Sequence, residues 1–290
     1  MAQTNAQPLF RFVIPSVEKI SPKTVGKWGI RLWFTPPRYK LSLPEKLLSG
    51  QARRQRIPFA KSRHQNGSET FYTVYTWGEG PAVLLVHGWG GCAAQMAPLA
   101  KELAGAGQRV VAFDALAHGD SPGRRTDILE MSEIIKDLHD RLGGFRAVVA
   151  HGMGATAAVA AIREGVSVEK LVTIGAAASV DFYLAQLARQ LRASRKTMGR
   201  ISTYINTKLK RNIKEFSIIN IAPTLGLPAL IVHDKHDEVV AYTEAVALAK
   251  CWPRSELLVT TGLGHSGPLR DTRVLSQINR YLVQEQRISV

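Results

Sequence analysis

Four short stretches of this 290-residue chain set histidines, aspartates or bare glycines directly behind apolar runs, where a strand would end and a loop begin. They are Val86-His87-Gly88-Trp89-Gly90-Gly91, Ala150-His151-Gly152-Met153-Gly154, Ile231-Val232-His233-Asp234-Lys235-His236-Asp237 and Gly262-Leu263-Gly264-His265-Ser266-Gly267. The chemistry open to such a set is proton transfer, because an aspartate that fixes a histidine in one tautomer yields a general base with a pKa near neutrality. Glycine-rich exits also let backbone N–H groups approach a ligand, and one such donor aimed at a developing oxyanion is worth about 3 kcal/mol. Acyl transfer through a covalent intermediate needs, in addition, a side-chain oxygen or sulfur at the reacting point.

Elements must hold these loops in place. Ala82–Val86 is apolar throughout, as a strand buried on both faces requires. After it, helix Ala93–Ala104, strand Arg109–Phe113, helix Asp127–Leu142, strand Phe145–Val149, helix Ala155–Ile162 and strand Lys170–Ile174 follow in alternation. Strand Ala229–Val232, helix Tyr242–Cys251, strand Glu256–Thr260 and a last helix from about Leu269 to Glu285 continue it. The pattern predicts an α/β protein with a mainly parallel sheet covered by helices on both faces.

Ahead of it, Arg56–Ser62 and Thr70–Trp77 read as a hairpin about Asn66-Gly67. Residues 1–65 read as an N-terminal extension packed on the core, with short helices over Pro22–Phe34 and Glu45–Ala52, and residues 66–290 as the main domain. From about 178 to 221 no strand is expected. Phe182, Leu184, Leu187, Leu191, Met198, Ile201, Ile205, Leu209 and Ile213 recur there at intervals of two to seven residues, mostly three or four, predicting a helical cap with two of its helices parted at Gly199. Such an insertion sits over the carboxyl ends of the strands, where open α/β sheets bind ligands.

Composition narrows the classes. No apolar run approaches the roughly 18 residues that a membrane span needs, and Met1–Phe10 has no apolar core of signal-peptide length. Two cysteines, Cys92 and Cys251, cannot form a disulfide framework, so a cytoplasmic protein is expected. The formal net charge of +15 attracts anions, yet no nucleic-acid-binding signature accompanies it. The partner expected is a small-molecule ligand or substrate, with an anionic one among the alternatives, and not a specific nucleic acid.

The order of motifs resembles the α/β-hydrolase superfamily over residues of about 68 to 286. It runs from the His87-Gly88-Trp89-Gly90 turn through Phe113-Asp114-Ala115-Leu116-Ala117-His118-Gly119-Asp120-Ser121 and the strand-to-helix turn at Gly152 to Asp237 and His265. The resemblance is to single-domain serine hydrolases with a short helical cap. It implies oxyanion donors at the backbone N–H groups of Trp89 and Met153, Asp237 as the acid and His265 as the base. Asp234 is the nearby competitor for the acid, Asp181 occupies a position that some members use, and His151 and His118 are read as packing or loop residues. The nucleophile elbow, small-x-Ser-x-Gly, matches Ala150–Gly154 except at its centre, where Gly152 stands for the expected serine. Ser121, Ser266 and Cys92 lie off the elbow.

The expectation is a serine-hydrolase scaffold for small ester or acyl substrates in which covalent hydrolysis is lost. Two alternatives stand beside it, a non-catalytic ligand-binding pseudoenzyme and a His–Asp general-base enzyme without a covalent step. Nothing in the sequence calls for a metal or an organic cofactor.

Overall fold

Burial on both faces is what the apolar run Ala82–Val86 requires, and the sheet supplies it. In the computed structural model, which describes residues 17–64 and 70–283, β3 (Ala82–Val86) lies between β4 (Arg109–Asp114) and β5 (Ala147–His151), parallel to both. The remaining strands are β1 (Arg53–Pro58), β2 (Phe71–Trp77), β6 (Lys170–Ile174), β7 (Ala229–Asp234) and β8 (Ser255–Thr260). All eight form one sheet in the order β1-β2-β4-β3-β5-β6-β7-β8. The pairs β1/β2 and β2/β4 are antiparallel and every other pair is parallel.

Helices cover both faces because two separate apolar clusters need covering. On one side α3 (Ala97–Gly105) and α10 (Thr272–Val283) bury Leu99, Leu103, Leu275 and Ile278. On the other, α4 (Ile128–Leu142) and α5 (Met153–Arg163) pack under the cap, and α9 (Tyr242–Cys251) lies beside β7 and β8. Asp127 caps α4 through the Glu130 N–H at 2.9 Å, and Gly143 ends it in the left-handed region at φ 73°.

The cap comprises α6 (Val180–Leu191), α7 (Arg195–Leu209) and the short α8 (Ile218–Ile221). The break between α6 and α7 is not at Gly199. Arg192 ends α6 in the left-handed conformation and Ser194 caps α7, its hydroxyl accepting the Thr197 N–H at 3.2 Å, so Gly199 lies within α7. A serine N-cap outweighs one exposed glycine, which costs a helix only about 1 kcal/mol.

The N-terminal stretch does not stand apart from the sheet. β1 is its edge strand, shifted three residues upstream of the expected start, and Arg53, Arg54, Gln55 and Arg56 on it are exposed. A charged edge of this kind carries no apolar alternation to betray it and resists pairing with another chain. The Asn66-Gly67 turn expected between β1 and β2 lies outside the described residues, as does the expected end of the last helix at Glu285.

Before the sheet, α1 (Pro22–Phe34) packs across α6 and α7, while α2 (Leu43–Ser49) sits against α3. Gly29 permits the first contact, since a Cβ there would stand 2.5 Å from Ile201 Cδ1. Glu18 fastens it, accepting the Ser194 N–H at 3.0 Å and the Thr197 hydroxyl at 2.7 Å.

Candidate active site

Strand β5 ends in a reversal that only a constrained backbone can make. Gly152 sits at φ 52°, ψ −125°, and its N–H is held by the Ile174 carbonyl at 2.9 Å while its own carbonyl accepts the Ala155 N–H at 3.1 Å. A side chain in this region is strained by about 1 to 3 kcal/mol, a strain that glycine escapes. Two residues on, Gly154 lies so close to the exit of β3 that a Cβ there would stand 2.3 Å from the His87 carbonyl oxygen. The last glycine of the motif is therefore set by close packing of α5 on the β3 exit.

The loops after β7 and β8 bring Asp237 and His265 together. His265 donates from Nδ1 to Asp237 Oδ2 at 2.7 Å, and Asp237 Oδ1 accepts the N–H groups of Val239 and Val240, both at 2.8 Å. Burial pushes the Asp237 carboxyl up, but the hydrogen bond and charge of His265 and the two backbone donors outweigh it and hold the pKa below its ordinary value. With Nδ1 so engaged, Nε2 of His265 faces Gly152, 3.6 Å from where a Cβ there would be. Gly175, just past β6, leaves room for the pair, because a Cβ there would come within 3.0 Å of His265 Nδ1.

The other acids have different work. Asp234 clamps the two loops together, accepting the Thr260 hydroxyl at 2.8 Å, the Leu263 N–H at 3.0 Å and the His236 N–H at 2.9 Å. Burial raises its pKa, but these donors together bring it down to about 2. Asp181 is exposed at the start of α6 and pairs with Lys214 at 2.7 Å, away from His265.

His151 is part of the wall, donating to the His265 carbonyl at 3.2 Å with the two rings 4.6 Å apart. Burial, followed by the charge of His265, lowers its pKa to about 3, so it is neutral. His118 is wholly buried and accepts the Gly90 N–H at 3.0 Å, which pins the glycine turn after β3.

A cavity of about 650 Å³ opens over this arrangement. Gly152, Trp89, Met153 and His265 line it, and among the described residues no backbone carbonyl takes the N–H of Trp89 or Met153. Ser266 is on the wall as well. Ser121 is buried elsewhere, bonded to the Asp114 carbonyl and the Thr73 N–H, and burial together with the charge of Asp114 raises the Cys92 thiol to about 12. Tyr183 and Gln186 of α6 form the roof, so the cap bounds the cavity, and Tyr39, between α1 and α2, closes one side.

The serine aminopeptidase, S33, family profile matches residues 80–218. Among solved structures, an esterase from Pyrococcus furiosus superposes with a TM-score of 0.61 at 21% identity over 86% of this chain and 98% of that one. An esterase from Thermogutta terrifontis gives 0.59 at 21% identity over 79% and 98%. The chain has the α/β-hydrolase fold. A bromoperoxidase from Bacillus anthracis shares the same α/β-hydrolase fold, with a TM-score of 0.61 at 16% identity over 80% of this chain and 100% of that one. No curated protein matches the sequence.

Two kinds of residue at this site carry no signal in the sequence. Tyr39 arrives from an extension whose path was unknown, and Tyr183 and Gln186 sit on a cap helix whose inward face could not be told from its outward one. Gly175 follows an apolar strand as the other site glycines do, and that position was the available clue.

Proposed function

We propose that this α/β-hydrolase scaffold takes a small ester or acyl compound into the cavity at Gly152, and that hydrolysis through an acyl-enzyme is lost with the nucleophile. In this reading the ligand's carbonyl oxygen meets the N–H groups of Trp89 and Met153, and His265 faces its carbonyl carbon across the open space. The observation that carries the reading is that space: a Cβ on Gly152 would meet only ordinary contacts, with His265 Nε2 at 3.6 Å and Gly88 Cα at 3.8 Å. The likeness to esterases supports an ester or acyl ligand. A cytoplasmic location belongs to the same reading and is supported by two free thiols, Cys92 and Cys251.

The test is binding without covalent chemistry. p-Nitrophenyl acetate and butyrate should bind saturably and remain intact, and intact-mass spectrometry after a fluorophosphonate probe should find the protein unmodified. A stoichiometric adduct would overturn the proposal by revealing a nucleophile elsewhere.

One observation favours a second reading. The bond of 2.7 Å between Asp237 and His265 holds Nε2 ready to take a proton from a water or a substrate hydroxyl at Gly152. General-base catalysis of this kind contributes about 10²- to 10⁴-fold. Turnover without an acyl adduct that falls by that factor in His265→Ala would favour it, and turnover indifferent to His265→Ala would exclude it.

A further inference from the structure

The wall of the cavity is at odds with the charge of the chain. The sequence has 38 Lys and Arg against 23 Asp and Glu, yet among the described residues no Lys or Arg lines the cavity. Its basic groups are the imidazoles of His151, His236 and His265, and its one acidic residue is Glu238. Glu238 is exposed, and among the described residues no Lys, Arg or His nitrogen stands within 4 Å of its carboxylate. A net charge of +15 draws anions from a distance, but at physiological ionic strength such a field fades over about 8 Å, so the groups on the wall decide which ligand stays.

The loop after β7 holds Glu238 in place. Asp237 Oδ1 accepts the N–H groups of Val239 and Val240, closing a turn that carries Glu238. Gln186, on the roof helix α6, donates from its amide nitrogen to the Val239 carbonyl. A carbonyl only accepts, so this partner fixes which end of the Gln186 amide is nitrogen and leaves Oε1 as an acceptor. Among the described residues nothing donates to Gln186 Oε1 or to the Glu238 carboxylate. Two residues that carry acceptors with no donor of their own thus line the cavity where the roof joins this loop.

Such a wall suits one kind of guest. A carboxylate or phosphate would set acceptors against acceptors and a second negative charge beside Glu238, whereas an ammonium group brings a positive charge and three donors. We propose that the ester or acyl compound taken into the cavity carries a positively charged amino group, which Glu238 and Gln186 Oε1 receive. The carbonyl at the other end of the ligand stays with the N–H groups of Trp89 and Met153. This assignment rests on the proposed binding of an ester at Gly152 and adds the charge of its remote end. Glu238 selects the ligand and takes no part in bond making.

Three esters of nearly equal length test this by isothermal titration calorimetry of the full chain. Methyl 6-aminohexanoate is cationic at pH 7, methyl heptanoate replaces its ammonium by a methyl group, and monomethyl adipate is anionic. The cationic ester should bind at least about tenfold more tightly than the anionic one. An exposed ion pair is worth up to about fivefold, so Glu238→Gln should lower affinity for the cationic ester by about threefold to fivefold. The same variant should bind methyl heptanoate within about twofold of the natural protein, which reports that it is folded. Glu238→Lys should reverse the order of the two charged esters. Monomethyl adipate bound as tightly as the cationic ester by the natural protein would overturn the proposal, as would a preference for the cationic ester that survives Glu238→Gln undiminished. Binding of methyl heptanoate with no preference between the charged esters refutes the charge assignment alone, whereas failure of all three to bind removes the reading of the cavity with it.

Discussion

Placing a hydroxyl at position 152 is the perturbation with the largest expected effect. In Gly152→Ser the new Cβ meets nothing nearer than 3.6 Å, so the side chain enters without displacing its neighbours. One bond further out, an oxygen turned toward His265 Nε2 comes within hydrogen-bond reach, about 2.6 to 3.2 Å. The backbone at φ 52°, ψ −125° does not suit a side chain, and the variant should lose about 1 to 3 kcal/mol of stability. For a chain of this size that lowers Tm by roughly 2 to 4 °C per kcal/mol. Gly152→Ala should lose the same stability and gain no activity, which separates strain from chemistry. In subtilisin, loss of the serine costs about a million-fold in kcat, so if Asp237, His265 and the N–H groups of Trp89 and Met153 act as proposed, a serine at 152 should raise p-nitrophenyl butyrate hydrolysis by at least about a thousandfold. Serine should also confer fluorophosphonate labelling. A Gly152→Ser protein that melts a few degrees lower, as expected, yet neither hydrolyses the ester nor takes the label would refute the inference that Asp237, His265 and the two N–H donors form a competent site.

Two further substitutions test how the site is supported. Gly154→Ala drives a methyl group into the backbone carbonyl of His87 and against Val86 Cγ1, and should destabilise the protein by about 3 kcal/mol or more in a urea melt. Asp234→Asn should cost on the order of 2 kcal/mol at pH 7. Because the folded pKa of Asp234, about 2, lies below the ordinary value, its contribution is fully present above about pH 5 and fades as the pH falls toward 2. Urea melts of natural and variant proteins should therefore differ at pH 7 and converge near pH 2.

The interior parallel strands were legible because burial on both faces leaves apolar runs that few other structures explain, and Ala82–Val86 and Lys170–Ile174 occupy the residues expected of them. The edge strand was misplaced by three residues because its face is four exposed polar side chains, so solvent and not packing set its composition. The division of the cap was misread for a related reason. Gly199 looked like a breaker, but an exposed glycine perturbs a helix less than the capping serine, Ser194, organises one. The proposed acid and base were legible through motif order, and the two aspartates differ in their partners: both accept loop amides, but only Asp237 also receives the His265 imidazole. Sequence could not reveal Tyr39 or Gln186, since neither carries a local sign of which way it faces.

The clasp between the N-terminal helix and the cap has a consequence for ligand traffic. Glu18 ties the start of α7 through two hydrogen bonds, and Gly29 lets α1 seat against Ile201 and Leu191. Moving the cap away from α1 would break these contacts together, which opposes displacement of the roof. Rotamer changes of side chains at the rim, Tyr39 among them, are therefore the expected route into the cavity.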